Sequence, residues 1–216
     1  MTMGHCGHYG WLCVLGICCF LAIRADAAAV SEAGRARDCI LAARDAIDAA
    51  DTRAFDAAVD VETVLDHAVG VVAGAAARGG ENVPPVLALM FSPLSHADAA
   101  RRLLVRETAA FVRNGIASGA FAGGKGNGTP APQGMLAPLF AGVSTGRKEI
   151  VHVSPAIRGE GGAWIVPFDL LDGGNGQRYR LLGRVERRHS RWRLTAIENM
   201  DELFHRLCGE FAAQEP

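Results

Sequence analysis

The chain has 216 residues, 50% hydrophobic and 21% charged, an ordinary balance for a globular protein and a length that suits one domain with a sizeable core. A formal net charge of -1 and a pI near 6.6 withhold the basic excess on which non-specific nucleic-acid binding rests. Nucleic acid is thereby excluded as the default partner.

Residues 11–23, W-L-C-V-L-G-I-C-C-F-L-A-I, form an apolar run of signal-peptide length, short for a bilayer span, and Ala25-Asp26-Ala27 supplies the small residues of a cleavage site. The reading is a signal peptide over 1–27, cleaved after Ala27, and one exported α+β domain over 28–216, periplasmic or secreted, with no transmembrane span after cleavage. Residues 1–10 carry no Lys or Arg, and Arg24 follows the apolar run, so an uncleaved amino-terminal anchor stays open as the alternative. Ile17 ahead of Cys18 and Cys19 is too bulky for a lipoprotein signal. Cys6, Cys13, Cys18 and Cys19 fall within the leader, which leaves Cys39 and Cys208. These either close one long disulfide loop in an oxidising compartment or stand as two separate buried thiols on the first and last helices.

Residues 28–118 read as helical. Ser31-Glu32-Ala33 opens the first helix, with Ile40, Ala43, Ile47 and Ala50 on one face. Asp51-Thr52 breaks and recaps the chain before Phe55, Ala58 and Val59, and Asp60 caps a third helix that Arg78-Gly79-Gly80 ends. Residues 82–93 make a Pro-punctuated connection whose apolar centre, 86–91, is expected to form a short helix or lid. Ser95-His96-Ala97-Asp98 resembles a capping box and launches a long helix whose apolar stripe is Leu104, Thr108, Phe111, Val112, Gly115 and Ile116. This helix is expected to lie across a sheet.

Gly119 to Lys125 matches the first seven places of the phosphate-binding loop G-x-x-x-x-G-K. Three features oppose a nucleotide site. Gly126 stands where a hydroxyl holds magnesium, the stretch follows a helix rather than a strand, and N-G-T-P after it cannot begin the helix that would hold phosphates. Residues 119–146 therefore read as a Gly/Pro-rich surface loop without a packed core.

Residues 147–198 carry aromatic and β-branched runs separated by D-G-G-N-G and His189-Ser190, the pattern of an antiparallel meander of about four strands. Trp164, Val166, Phe168 and Leu170 share one face of the central run, while Ile165 and Leu171 make the other face partly apolar. Pro167 points to an edge position or a bulge. Ten basic residues between Arg147 and Arg193 face five acids, so the sheet is locally basic although the chain is nearly neutral. Such a face either holds an anionic or acidic partner or is simply solvated, guarding strand edges against pairing. Asn199 is expected to cap a short closing helix over 199–213, with acids at its positive end. The predicted architecture is thus amino-terminal helices packed on a strongly bent antiparallel sheet.

This order of elements, with A-D-T-R-A-F-D-A-A-V-D from Ala50 to Asp60 and the closing R-W-R-L-T-A-I-E-N-M, resembles exported bacterial proteins of unknown function with a nuclear-transport-factor-like, cystatin-related cone. The resemblance implies a bent sheet wrapped around a helix and a pocket that members use to bind, to assemble, or for acid–base catalysis of the ketosteroid isomerase and dehydratase kind. By residue type, the equivalents of a base and an oxyanion donor are His152, Asp169 and Tyr179. Trp164, Phe168, Arg178 and Arg180 are the expected ligand contacts. After the leader no closely spaced Cys pair, H-x-x-x-H, H-E-x-x-H or G-x-S-x-G occurs, so no metal, cofactor or activated serine is expected. Two functions follow: a non-enzymatic envelope module binding an apolar or anionic ligand or a partner protein, and, as alternative, a small acid–base enzyme working in the cone.

Overall fold

A computed structural model of the chain describes residues 9–78, 97–124 and 146–212, with side chains from residue 29 onward apart from 76, 97, 208 and 210–212. The expected lid at 86–91, the Ser95 cap and residues 125–145 of the Gly/Pro-rich stretch lie outside the described residues. The fold is α+β: helices pack on a curled antiparallel sheet that a short carboxy-terminal helix closes. The helices are α1 (Tyr9–Asp48), α2 (Thr52–Ala58), α3 (Val61–Ala77), α4 (Ala97–Ala117) and α5 (Met200–Ala212). The strands are β1 (Lys148–Val151), β2 (Ile157–Arg158), β3 (Trp164–Asp172), β4 (Gln177–Arg188) and β5 (Arg191–Ile197).

Where a helix was expected to begin at Ser31, α1 instead runs on without a break from the apolar stretch before it. The Ala-rich joint at residues 25–29 contains neither Gly nor Pro, so nothing there interrupts the helical hydrogen bonds. Its buried face carries Ala36, Cys39, Ile40, Ala43 and Ile47 and lies against the sheet. The Asp51 carboxylate accepts from the Ala54 amide at 2.9 Å and starts α2, the cap its sequence foretells. At the next junction Val59 bridges Leu194 in parallel and the Asp60 amide donates to the Leu194 carbonyl at 2.9 Å. This short pairing covers part of the outer edge of β5, which an open sheet would leave exposed.

The strand order is β1-β3-β4-β5, with β2 also paired to β3 beyond β1. Alternation along β3 and β4 divides the sheet cleanly. Trp164, Val166, Phe168, Tyr179, Leu181 and Val185 are buried on the concave face, and Arg178, Arg180, Leu182 and Arg184 point outward. Ile40, Ile116, Val166 and Val185 are the bulkiest fully buried side chains and mark the centre of the core. Burial of each contributes about 1.5–3 kcal/mol. Between Arg184 and Val185 the register with β5 slips by one residue, which leaves buried Thr195 unopposed and bends the sheet. His189 and Ser190 take positive φ of 46° and 69°, as a two-residue hairpin twisted with its strands requires.

Two expectations about the sheet are corrected. Pro167 sits in a central strand, opposite Leu182, rather than at an edge. It is tolerated because β1 and β2 leave a gap beside it: its carbonyl accepts from Ser154 at 2.8 Å, and its missing N–H points into the same gap. Asn199 ties the sheet instead of capping α5 with its side chain, accepting from the Leu182 amide and donating to the Arg180 carbonyl, each at 2.9 Å. It thereby extends β5 by one side-chain pairing before the helix turns away.

Candidate functional site

Helices α1 to α4 do not fill the concave face completely. A cavity of about 230 Å³ remains between α1, α2, α3, the end of α4 and the sheet. Its wall is made by Ile40, Ala43 and Ile47 from α1, Phe55 and Leu65 from the next two helices, and Phe168, Leu181 and Leu194 from the strands. An engineered apolar cavity of roughly 150 Å³ stays dry and accepts benzene, so this space suits an apolar group somewhat larger than one ring.

Among the described residues one polar side chain reaches the lining, Lys148 on β1. Its ammonium meets the Asp172 carboxylate at 2.6 Å, and both side chains are largely buried. The two are register partners on neighbouring strands, so the pair is built into the sheet. The ammonium also lies 5.8 Å from the centre of the Phe121 ring.

Phe121, expected within a surface loop, is buried instead. The chain after α4 turns back through Gly119 and Gly123, both at positive φ, and the Phe121 amide donates to the Gly115 carbonyl. The ring is buried edge-on to Phe111 and becomes one wall of the cavity. An apolar residue between two glycines at turn spacing is the signal that was available. The lysine-ending match to a phosphate-binding loop is thus in part a compact turn packed on α4.

The three residues considered for acid–base work do not share a pocket. His152 and Asp169 lie on the outer face of the sheet, with His152 Nδ1 3.4 Å from Asp169 Oδ2. Tyr179 points to the concave face, where Asn175 donates to its hydroxyl at 3.1 Å and the Arg206 guanidinium stacks 4.8 Å from its ring. Trp164 and Phe168 are both buried on the concave face, and Phe168 alone of the two lines the cavity. Among the described residues no acceptor meets the buried Trp164 Nε1, while Arg158 stacks over its ring at 5.4 Å. Arg178 and Arg180 project outward beside Asp169. Among the described residues no three His, Cys, Asp or Glu side chains converge as metal ligands would, and no helix is long and apolar enough to cross a membrane.

Cys39 is a free thiol. It donates to the carbonyls of Ala58 and Trp192 at 3.2 and 3.4 Å, at the hairpin end of the sheet. The helix bearing Cys208 instead binds the other end of β4, where Arg206 donates to the Arg178 carbonyl. From Arg178 to Arg187, the partner of Trp192, the strand runs roughly 30 Å, far beyond the reach of a disulfide. Of the two alternatives left open for Cys39, the structure has the second, a buried thiol packing as a small apolar group.

Burial pushes the Cys39 thiol up from 9.0 to about 11, against weaker lowering by a backbone hydrogen bond and Arg193. In the unfolded chain the thiol ionises near 9.0, whereas the folded chain retains the proton until about 11. Stability from this group is complete below 9.0 and is lost as pH rises through that window, by up to about 2–3 kcal/mol. Urea unfolding at a series of alkaline pH values is expected to show this decline and a Cys39→Ala chain to show less of it. Equal slopes in the two chains would contradict the assignment.

Compared with known proteins, the chain matches no family model, no curated sequence and no solved structure.

Proposed function

We propose that this chain is an exported binding module of the cell envelope that holds a small apolar ligand in its cone, without catalysing a reaction on it. The observation that carries this reading is the cavity of about 230 Å³ between the helices and the concave face of the sheet, lined among the described residues almost wholly by aliphatic and aromatic side chains. A helix lying in the hollow of a curled sheet also supports the nuclear-transport-factor-like cone implied by the sequence pattern. The acid–base alternative draws less from the geometry, because His152 and Asp169 stand on the face opposite the cavity. Export rests on the apolar run at 11–23 and the small residues ahead of Ala28.

The test uses naphthalene, a two-ring apolar fluorophore, and a variant that fills the space. Ala43 is buried in α1 and faces the cavity, so Ala43→Leu inserts aliphatic volume where there is room for it. The parent chain is expected to bind the probe saturably. The variant is expected to bind at least about tenfold more weakly while gaining about 0.5–2 kcal/mol in stability. No saturable response in the parent, or an unchanged affinity in the variant, would remove the cone from consideration. Cell fractionation tests the location independently, through a mature chain beginning at Ala28 in the envelope fraction.

A further inference from the structure

The outer face of β4 carries four arginines, and the structure treats its two halves differently. Near the hairpin, Arg184 meets Glu186 and Glu198 at 2.8 and 2.9 Å, and Arg188 meets Glu186 at 2.7 Å. Hydrogen bonds from Arg184 hold the Glu186 carboxyl below the usual carboxylate range. Two guanidinium groups and two carboxylates close that half of the face.

At the other end a single carboxylate is shared. Asp169 lies opposite Arg180 in register and accepts from its Nη1 at 2.9 Å, which is all that a cross-strand stitch requires. His152 is 3.4 Å from the second carboxylate oxygen, and Arg178 Nη1 lies 4.0 Å from it. Arg180 Nη2 also donates to the Ser154 hydroxyl at 3.4 Å. Among the described residues Glu149 and Arg147 also lie on this side and face each other at 3.5 Å. Asp169 is buried, whereas the Arg178 and Arg180 side chains are 55% and 53% exposed and turn further N–H donors to water. His152 is held here by a left-handed backbone, φ 51°, a conformation that a non-glycine residue adopts only when its surroundings enforce it.

From this arrangement we infer a second binding site, on the face opposite the cone, for a phosphate-type dianion gripped by Arg178, Arg180 and His152 over Asp169. Paired guanidinium forks match the oxygens of a phosphoryl group, and the buried carboxylate beneath them holds Arg180 in place without neutralising the cluster. The same chemistry is offered by a soluble phosphomonoester and by the headgroup of phosphatidic acid, and the site is independent of the apolar cavity.

The full-length chain is titrated with inorganic phosphate at constant ionic strength, made up with chloride, and followed by the side-chain resonances of Arg178 and Arg180 and the ring of His152. Saturable shifts confined to these groups are expected, at least tenfold weaker in Arg178→Gln. That variant is chosen because its nearest carboxylate contact is already 4.0 Å, so folding does not depend on it; an unchanged melting temperature verifies this. Arg180→Gln is expected to weaken binding as much, at some cost in stability. Co-sedimentation with phosphatidic acid vesicles, against phosphatidylcholine vesicles, then separates the sources: retention on the former alone identifies the headgroup, and no retention identifies the soluble ester. Shifts that never saturate, that chloride alone reproduces, or that Arg178→Gln leaves intact overturn the site.

Discussion

Gly115→Ala is expected to destabilise the chain by about 2–3 kcal/mol and to abolish probe binding in the cone, although it adds one methyl group to a buried helix. A Cβ built on Gly115 would lie 2.3 to 2.7 Å from three carbons of the Phe121 ring, closer than any real contact permits. The ring has nowhere to retreat. Its amide is bonded to the Gly115 carbonyl at 3.2 Å, its carbonyl accepts from the Lys148 amide at 2.8 Å, and its edge packs on Phe111 with centroids 6.1 Å apart. Relief must come from swinging the whole turn out, which breaks the docking on β1 and opens the wall of the cavity. In a double-mutant cycle Phe121→Leu makes room for the methyl, so the two changes together are expected to cost about 1 kcal/mol or more less than the sum of the single costs. Strict additivity in urea unfolding would show that the helix and the ring do not meet as described.

The parts of this architecture that repeat with a local period could be read directly from the chain. Alternation of Trp164, Val166, Phe168 and Leu170 against Ile165, Pro167, Asp169 and Leu171 assigns the two faces of β3 without knowledge of what either face meets. Asp51 declares the start of α2 in the same way, because its partner is only three residues distant. What could not be read depends on register and on closure between remote segments. The grouping of His152, Arg178 and Arg180 about Asp169 follows from the pairing of Asp169 with Arg180, a single register among several that the alternation permits. Pro167 is acceptable in a central strand only because the pairing of β1 and β2 is interrupted beside it. The cone itself results from how α1, α4 and the turn at Phe121 approach one another, and residue volumes along one segment do not encode the space left between three.

Replacing Arg193 with Met should separate the helical layer from the sheet at one defined seam, with a loss of about 2–4 kcal/mol. Arg193 Nη2 donates to the carbonyls of Asp56 and Val59 at 2.7 and 3.0 Å, and Nη1 lies 3.4 Å from the Asp60 carboxylate. In a continuing helix the Asp60 amide would serve the Asp56 carbonyl, but here it is committed to Leu194 at 2.9 Å. The guanidinium thus takes over the end of α2 that the chain gives up in order to pair with β5, and its charge suits the negative end of that helix. Methionine retains much of the side chain's length and apolar stem while removing every donor, so packing and hydrogen bonding are separated. The buried Nε of Arg193 has no partner among the described residues, a cost that Met removes, which is why the upper end of the range is not exceeded. Arg193→Lys places one ammonium where a fork served two carbonyls and is expected to recover about half of the loss. Amide exchange supplies the discriminating measurement. The Asp60 amide in the Met variant should exchange through a local opening, faster than the Val166 amide in β3, because the failure begins where α2 meets β5 and not in the core. Uniform acceleration of both amides would mean that the seam has no separate existence and that helices and sheet open as one unit.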